Sequence, residues 1–415
     1  MNDRRVVVTG TGTVNPMGNT VQETWQTLMR GRSVIRLITR FDASQLNTRI
    51  AGEVDGFDYR QIFPASMLND AKRMDAFCHY AVAAAREAAR QSGLEDIASR
   101  ERIGVALGSG IGGLNLQHRN SVALVERGPR RVSPFYVPMS IGNMAAGIIS
   151  MRYGIGGPNL SLQTACASAN HAIAMAQLII RDGMADVMIA GGSEGTINEL
   201  AIAGFGNMHA LSTRNEEPER ASRPFDRDRD GFVLSEGAAV LVLEEYGHAR
   251  ARGATVLCEV VACGMSGDGY GFVAPDPEGH GAYRSMRMAL EQAGMNPGDI
   301  DYINAHGTAT PAGDIAELRG VHALFGSGAT EVCVGSTKSY HGHLLGATAG
   351  VEAILCIETL QHGIIPANIN LDTPDPELPP VWLPREIVER PVRAVMSNSF
   401  GFGGHNSSLL LKAAD

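Results

Sequence analysis

The sequence runs through the same series of segments twice, and this internal repetition limits the possible folds more than any other feature. Strand-like runs that end in glycine loops alternate with alanine-containing amphipathic segments, a pattern typical of α/β proteins. Residues 6–10 open the first series, and residues 255–263 open the second after a polar turn at 247–253. We therefore predict two related halves, residues 1–253 and residues 254–415.

Four further pairs of segments fit this duplication. Each pair joins a segment of the first half to a similar segment of the second. The pairs are 81–94 with 283–295, 103–110 with 302–307, 159–166 with 332–343, and 186–192 with 394–399. In both halves an apolar helix follows the third segment. We expect these two helices to pack together between two sheets, in a five-layered αβαβα arrangement. Their N-termini, at Cys166 and His343, would then face each other.

Composition and charge narrow the possible partners. The chain has 415 residues, of which 19% are charged and 49 are glycine, so disordered, collagen-like and coiled-coil proteins are excluded. Lys and Arg number 35 against 44 Asp and Glu, a net charge of −9. This balance disfavours nucleic acid or an anionic membrane as the main partner.

The sequence also predicts the compartment. No apolar stretch approaches the roughly 20 residues of a membrane span, and no signal peptide is recognisable at the N-terminus. The six cysteines show no C-x-x-C pair and no metal-ligand spacing, as is usual for reduced thiols in the cytosol. We expect a soluble, cytoplasmic protein with no structural zinc and no membrane insertion.

One cysteine stands in a context that suits a nucleophile. Cys166 lies among small residues, after an extended run and just before an apolar helix. The partial positive charge of a helix N-terminus favours a thiolate. We therefore expect the pKa of the Cys166 thiol to lie below the value of about 8.5 for a free cysteine. The other five cysteines are expected to be buried and inert.

Two later segments carry histidines. Residues 304–314 end a strand in a loop that contains His306, a position where ligands often reach strand ends. Residues 336–346 contain His341, His343 and Lys338, one of three lysines in the chain. A cysteine with separate histidines is compatible with a cysteine protease, a thiolase or a condensing enzyme.

The order and spacing of Cys166, His306, Lys338 and His343 resemble the β-ketoacyl-acyl carrier protein synthases, and among them the elongating type II form. The resemblance covers nearly the whole chain, as far as the segment Asn-Ser-Phe-Gly-Phe-Gly-Gly-His-Asn at 398–406. It implies the thiolase-like fold, a homodimer and an acyltransferase of fatty acid biosynthesis. Such an enzyme elongates acyl-acyl carrier protein with malonyl-acyl carrier protein by decarboxylative Claisen condensation. No cofactor is required.

The resemblance also implies roles for individual residues. Cys166 would carry the acyl chain, and its backbone N–H would form an oxyanion hole with that of Phe402. His306 and His343, both neutral, would donate hydrogen bonds to the malonyl thioester oxygen, and Lys338 would tune them.

Further positions follow from the same resemblance. Lys338 would lie in a polar network with Asp314 and Glu317, and Glu352 would support the same network. Thr308 and Thr310 would bind the pantetheine arm. An acyl pocket would be lined by Ile111, Phe205 and Tyr136, the last from a dimer partner, with a gate at Phe400 and Phe402. Glu352, Asn304, Ser397 and Asn398 would hold a structural monovalent cation, and an acidic carrier protein would dock on Lys72, Arg73, Arg130 and Arg131.

Several alternatives stay open on sequence alone. Residues 191–195 read G-x-S-x-G, so a serine hydrolase that uses Ser193 is a distant alternative. A ketosynthase of a type II polyketide or specialised lipid pathway is a closer one. Non-catalytic chain-length partners of polyketide synthases share the fold but usually lack the cysteine. Four residues, Ala169, His209, Tyr340 and His341, depart from the family pattern, so chain length and choice of carrier protein stay open.

Overall fold

A computed structural model describes residues 4–414 of the chain. The first half contains strands and helices in an alternating order. The elements are β1 (Val6–Val14), α1 (Val21–Met29), β2 (Arg36–Leu37), β3 (Ile50–Ala51), α2 (Leu68–Ala71), α3 (Ala76–Ser92), β4 (Ile103–Gly108), α4 (Leu114–Arg127), α5 (Tyr136–Ser140), α6 (Met144–Tyr153), β5 (Asn159–Leu162), α7 (Ser168–Arg181), β6 (Val187–Glu194), α8 (Glu199–Asn207), β7 (Gly237–Glu245) and α9 (Tyr246–Ala251).

The second half repeats this order with fewer insertions. Its elements are β8 (Cys258–Gly267), α10 (His280–Ala293), β9 (Tyr302–Asn304), α11 (Pro311–Phe325), β10 (Cys333–Gly335), α12 (Lys338–His341), α13 (Thr348–His362), β11 (Ile364–Ile365), β12 (Val388–Glu389), β13 (Ala394–Gly401) and β14 (His405–Ala413).

The two halves form sheets with the same strand order. The first runs β5-β4-β6-β7-β1 and the second β10-β9-β13-β14-β8. In both sheets the first three strands are parallel and the last two are antiparallel to their neighbours. The sheets join where β1 pairs with β8. This repetition confirms the predicted pair of pseudo-symmetric halves. The exact boundary between residues 253 and 254 stays a prediction.

The layers follow the predicted αβαβα order. Helices α3 and α6 cover the outer face of the first sheet, and α10 and α11 cover that of the second. Helices α7 and α13 lie between the sheets, where each contacts strands of both halves. Their apolar side chains, such as Ile173, Ile180, Val351 and Ile354, share one core with residues from both sheets. Among residues 4–414, no helix combines the length and the apolarity that a membrane crossing needs.

The two central helices begin later than the sequence predicts. Helix α7 starts at Ser168 rather than at Cys166, and α13 starts at Thr348 rather than at His343. The reason is a tight turn before each helix. Ala165 has φ of 51° and Leu345 has φ of 48°, a left-handed conformation that costs free energy in residues other than glycine. The nucleophile candidate and the histidine therefore lie on turns at the helix entrances.

Close packing of a helix on a glycine recurs at equivalent places in the two halves. A Cβ atom on Gly12 of β1 would lie 2.1 Å from the carbonyl oxygen of Ala84 in α3. A Cβ atom on Gly264 of β8 would lie 1.9 Å from that of Ser285 in α10. Since β1 matches β8 and α3 matches α10, both outer layers need a residue without a side chain here.

We expect Gly264→Ala to lower the free energy of unfolding by about 2 kcal/mol or more, because the methyl group forces α10 away from β8. Gly204→Ala is the matched control, since a Cβ atom there meets nothing within 4 Å and alanine favours a helix such as α8. Thermal unfolding of the two variants beside the wild type measures the difference. Equal melting temperatures for Gly264→Ala and the wild type would contradict this packing.

Candidate active site

Cys166 lies between β5 and α7, at the wall of a cavity of about 550 Å³. The strained turn at Ala165 directs the cysteine side chain toward the cavity, and Ser399 fixes its backbone by donating a hydrogen bond to the Cys166 carbonyl oxygen (2.8 Å). The backbone N–H groups of Cys166 and Phe402 both lie close enough to the Cys166 sulfur to lower the pKa of its thiol, against the larger rise caused by burial. Two donors that converge on one point of a buried cavity can stabilise an oxyanion formed there.

Two histidines reach the same cavity from the second half. His343 Nε2 lies 3.0 Å from Cys166 Sγ, and His343 Nδ1 lies 2.9 Å from the hydroxyl of Thr348. His306 follows β9, and its ring lies at 83° to that of His343 with centroids 5.4 Å apart. Ligand atoms of Cys166, His306 and His343 all lie within 4.8 Å of one another. The fold therefore brings the three sequence candidates together.

The thiol of Cys166 does not behave as predicted. Burial raises its pKa to about 12, although the charge of Lys338 and the two N–H groups act in the opposite direction. The expected thiolate is therefore wrong for the resting protein. The helix entrance stabilises negative charge, but burial of the sulfur outweighs this effect on the pKa. Attack by Cys166 requires a base to remove its proton, and His343 Nε2 lies at hydrogen-bond distance for that transfer.

The two histidines are neutral, as predicted. Burial lowers the pKa of His306 and of His343 well below the usual value, and the positive charge of Lys338 lowers both further. A neutral imidazole has one donor and one acceptor nitrogen, so each ring can donate a hydrogen bond without carrying a charge. His306 is oriented through its backbone, because Glu317 accepts hydrogen bonds from the N–H groups of His306 and Gly307, both at 2.8 Å.

Lys338 bonds one of the three acids predicted to support it. Its Nζ donates to Glu352 Oε1 at 2.5 Å, and both side chains are buried. Glu317 lies close enough for the charge of Lys338 to lower its pKa, against a larger rise caused by burial. Asp314 does not join this network. It faces Arg229 at 3.4 Å and accepts hydrogen bonds from the N–H groups of Phe225 and Ala309.

Asp314 lies one helical turn before Glu317 on α11, which is why the sequence groups the two acids. Residues three apart on a helix project from nearly the same face, so both acids can reach the loop that precedes α11. Both acids secure the loop between β9 and α11: Glu317 bonds it at His306 and Gly307, and Asp314 bonds it at Ala309. The assignment of Asp314 to the network of Lys338 is therefore wrong, because Asp314 faces Arg229 and the N–H groups of Phe225 and Ala309 instead.

The predicted cation site contains unpartnered oxygens. Asn304 Oδ1, Ser397 Oγ and Glu352 Oε2 are buried and have no hydrogen-bond partner, and Asn304 pairs with Ser397 across β9 and β13. Buried oxygen ligands of this kind fit a hard monovalent cation. Asn398 fits less well, because its Oδ1 already accepts a hydrogen bond from Ser408 at 2.8 Å. The cation stays a prediction that rests on the first three residues.

Tyr340 and His341, which depart from the family pattern, are structural in their contacts. The Tyr340 hydroxyl donates to the Ala367 carbonyl oxygen at 3.0 Å. The His341 ring contacts the Gly342 carbonyl oxygen (2.8 Å) and the Thr337 hydroxyl (3.2 Å), and burial lowers its pKa to about 3. His341 is not among the residues that line the cavity.

Most residues predicted to contact substrate do line the cavity. Thr308 and Thr310 lie at one side with their hydroxyl oxygens 3.0 Å apart. The apolar walls include aromatic rings, and the ring of Phe400 lies 5.8 Å from that of His306. Tyr136 begins α5 and does not line this cavity. The predicted residues that line the walls are Ile111, Phe205, Phe400 and Phe402.

The four predicted docking residues are exposed on the first half. Lys72 and Arg73 follow α2, and Arg130 and Arg131 lie in a short 3-10 turn after α4. The guanidinium of Arg73 stacks 4.1 Å over the ring of Phe135, which brings the two segments together. Arg73 also pairs with Asp70 at 3.4 Å, and a basic docking patch at these four residues stays a prediction.

Ser193 cannot serve as a hydrolase nucleophile. It is fully buried inside β6, and its hydroxyl donates to the carbonyl oxygen of Phe77 at 2.5 Å. It does not line the cavity that holds His306 and His343. The G-x-S-x-G motif here is part of a strand and not the sharp turn between a strand and a helix that the hydrolase mechanism needs.

Two contributing residues were missed by sequence reasoning. Thr348, whose hydroxyl contacts His343, opens an apolar helix and looks like an ordinary first-turn residue. Glu194 accepts hydrogen bonds from the loops on either side of Cys166. The sequence could have indicated this role of Glu194, because a carboxylate at the end of an otherwise apolar strand must find buried hydrogen-bond donors.

We expect iodoacetamide to modify Cys166 at a rate that keeps rising above about pH 8.5, the ordinary thiol pKa, because only the thiolate reacts. Peptide mass spectrometry after brief exposure at a series of pH values measures this rate. In Lys338→Met the loss of positive charge raises the thiol pKa further, so modification at any given pH should be slower. A rate that levels off below about pH 8.5 in the wild type would contradict the neutral thiol.

Models of one protein family match most of the chain. The model of the β-ketoacyl synthase N-terminal domain matches residues 3–249, and that of the C-terminal domain matches residues 257–372. Among curated proteins, 3-oxoacyl-[acyl-carrier-protein] synthase 2 of Vibrio cholerae serotype O1 is 49% identical over 417 residues. That match covers 99% of this chain and 100% of the relative.

Solved structures show the same architecture. A β-ketoacyl synthase from Burkholderia phymatum STM815 is 35% identical with a TM-score of 0.91. A ketosynthase bound to the hexaketide, in complex with its type II polyketide synthase acyl-carrier protein, is 29% identical with a TM-score of 0.91. Both matches cover 99% of this chain and 100% of the solved chain, and they confirm the thiolase-like fold. The chain belongs to the β-ketoacyl synthase family and is an acyl-transferring condensing enzyme.

Proposed function

We propose that this enzyme elongates acyl chains on acyl carrier protein by decarboxylative Claisen condensation with malonyl-acyl carrier protein. The observation that carries the proposal is the 3.0 Å contact between Cys166 Sγ and His343 Nε2, beside His306 and two backbone donors in one buried cavity. The arrangement provides a nucleophile, a base, and donors for the charge that develops on thioester oxygens. No step needs a redox cofactor.

In the first half-reaction, the acyl group moves from the pantetheine thiol of the carrier to Cys166. His343 Nε2 takes the thiol proton as the sulfur attacks the thioester carbonyl. The tetrahedral oxyanion accepts hydrogen bonds from the N–H groups of Cys166 and Phe402. The proton then passes to the departing pantetheine thiolate, so the step leaves an acyl-Cys166 thioester and a neutral carrier thiol.

In the second half-reaction, the malonyl carboxylate leaves as carbon dioxide, and the electron pair of the broken bond forms an enolate. His306 and His343 donate hydrogen bonds to the enolate oxygen, which requires a proton on Nε2 of His343. The hydroxyl of Thr348 suits both states of His343, because it can accept from Nδ1–H or donate to bare Nδ1. The carbanion attacks the acyl-Cys166 carbonyl, and the released thiolate takes one proton from solvent.

The curated relative supports fatty acid elongation over a specialised pathway. The chain is 49% identical to a 3-oxoacyl-[acyl-carrier-protein] synthase 2 and 29% identical to the ketosynthase of the type II polyketide complex. We assign the malonyl and acyl substrates on this basis. The basic patch at Lys72, Arg73, Arg130 and Arg131 would receive an acidic carrier protein, and the hydroxyls of Thr308 and Thr310 would bond its amide-rich pantetheine arm.

A second copy of the chain would complete the enzyme. Strand β5 ends the strand order of the first sheet, and Leu160 on it is exposed. An open strand edge of this kind favours pairing with another strand. A second cavity, of about 530 Å³, is lined by Ser161 of the same segment and by Ile111. A homodimer through β5 would let the partner close the acyl pocket, as proposed for Tyr136. We assign the enzyme to the cytoplasm, where malonyl-acyl carrier protein is made.

A mass measurement tests the nucleophile. We expect intact-protein mass spectrometry to detect one acyl adduct after incubation with a long-chain acyl-acyl carrier protein. Cys166→Ala should show no adduct, because no other thiol faces the cavity. Ser193→Ala is the matched control and should retain the adduct, since Ser193 is buried in β6. An adduct that survives in Cys166→Ala would contradict the proposed intermediate.

The two histidines should affect the half-reactions differently. His343 contacts the sulfur, so His343→Ala should slow both acylation and malonyl decarboxylation, each by about a hundredfold or more. His306→Ala should keep acylation within about tenfold of the wild-type rate and slow decarboxylation by about a hundredfold. Single-turnover mass spectrometry measures acylation, and carbon dioxide release measures decarboxylation.

His341→Gln is the matched control for these variants, because His341 is buried beside the site but does not line the cavity. It should change neither half-reaction, whatever its effect on stability. Equal losses of acylation in His306→Ala and His343→Ala would show that the two histidines do not divide the work in this way.

A further inference from the structure

Glu194 is a buried carboxylate that the proposed reaction does not use. It ends β6, within the G-x-S-x-G segment, and is fully buried. Its Oε2 accepts hydrogen bonds from the backbone N–H groups of Gly110 (2.7 Å) and Gly346 (3.1 Å). Its Oε1 accepts from the N–H of Ile111 and the hydroxyl of Ser109, both at 3.2 Å. One side chain therefore receives four donors.

These donors belong to two loops from different halves of the protein. Residues 109–113 follow β4 in the first half, and Gly346 lies between His343 and α13 in the second. Each loop contributes an apolar side chain to the cavity beside Cys166, Ile111 from the first and Leu345 from the second. The carboxylate of Glu194 is thus a direct link between two walls of the pocket that would hold the acyl chain.

The space around this link is fully occupied. A Cβ atom on Gly346 would lie 2.2 Å from the backbone nitrogen of Gly110, and a Cβ on either glycine would lie 2.9 Å from Glu194 Oε2. Leu345, next to Gly346, has φ of 48°. A strained residue keeps such a conformation only when its surroundings hold it, and here the hydrogen bond from the adjacent N–H to Glu194 does so.

We propose that Glu194 is a positioning residue that sets the separation of Ile111 and Leu345 beside Cys166, and thereby helps to select the length of the acyl chain. Without the carboxylate, three backbone N–H groups in two loops lose their acceptor, and nothing else bonds both loops at this point among the contacts described above. The inference rests on the proposed condensing activity.

The charge of Glu194 supports the same assignment. Burial raises its pKa to about 7, against the four donors that lower it. Burial is the main cause of the raised pKa of the Cys166 thiol, and the negative charge of ionised Glu194 raises this pKa further. The carboxylate is therefore close enough to the nucleophile for its removal to be detected at the sulfur, as well as in the shape of the pocket.

Glu194→Gln is the variant that tests this role. The glutamine side chain has nearly the same shape, but an NH2 group replaces one of the two carboxylate oxygens. This NH2 group is a donor and cannot accept the hydrogen bonds that the replaced oxygen accepts. We expect kcat/KM with hexanoyl-acyl carrier protein to fall about tenfold. With hexadecanoyl-acyl carrier protein the fall should be about twofold, because the loosened walls admit a longer chain with less loss.

Glu244→Gln is the matched control. Glu244 is also fully buried, and it bonds Arg252 and Thr9 at the opposite end of the same sheet, where it pairs with Val187 at the start of β6. It should lower the melting temperature and leave the hexanoyl to hexadecanoyl ratio of kcat/KM unchanged. Ser109→Ala, which removes one of the four donors, should shift the ratio in the same direction by a smaller factor.

The outcomes separate the inference from the proposed function. An inactive wild type with both substrates would overturn the condensing activity itself. An active wild type whose chain-length ratio is the same in Glu194→Gln would overturn the role of Glu194, as would an equal change in Glu244→Gln. If Glu194→Gln fails to fold, an unchanged ratio in Ser109→Ala overturns the role. Faster iodoacetamide modification of Cys166 in Glu194→Gln supports it, because loss of the negative charge lowers the thiol pKa.

Discussion

The packing of α7 against α13 between two sheets is the contact on which the rest of this structure depends. Each helix belongs to one half, and each contacts strands of both halves within one apolar core. Because the halves repeat the same topology, the segments that enter the two helices meet. Cys166 enters α7 and His343 lies on the segment before α13, so their 3.0 Å contact is a direct consequence of the duplication. Neither half alone would assemble the site.

Burial then decides the charge state of the site. Around Cys166 the removal of water raises the pKa of the thiol and lowers the pKa of both histidines, so the three side chains rest without net charge. A reaction that creates negative charge on a thioester oxygen gains from neutral donors in a buried cavity, since hydrogen bonds are stronger in surroundings of low dielectric than in water. The same burial makes the first step dependent on a base, which explains why a histidine touches the sulfur.

The sequence predicts contacts well where a motif carries its own backbone constraint. The alternation of strands and helices and the repeated segments predict both sheets, and the family resemblance predicts which residues surround Cys166. Two of the errors share one cause. The expected thiolate and the placement of Asp314 beside Lys338 both depend on how completely a group is buried and which loop faces it, and these properties arise from segments distant in sequence. Asp314, for example, meets Arg229, some 85 residues before it. Periodicity on one helix does not contain that information.

Lys338 illustrates how one buried charge can act on the whole site. Its ammonium group is held by Glu352 at 2.5 Å, while Glu317, which accepts the backbone N–H of His306, also lies within its field. The positive charge opposes protonation of His306, His341 and His343. A lysine without Glu352 would be a buried unpaired cation, which is costly. A Glu352 without the lysine would take up a proton more readily. The charge of Lys338, held in place by Glu352, therefore adds to burial in keeping the histidines neutral, so that they donate hydrogen bonds rather than carry charge.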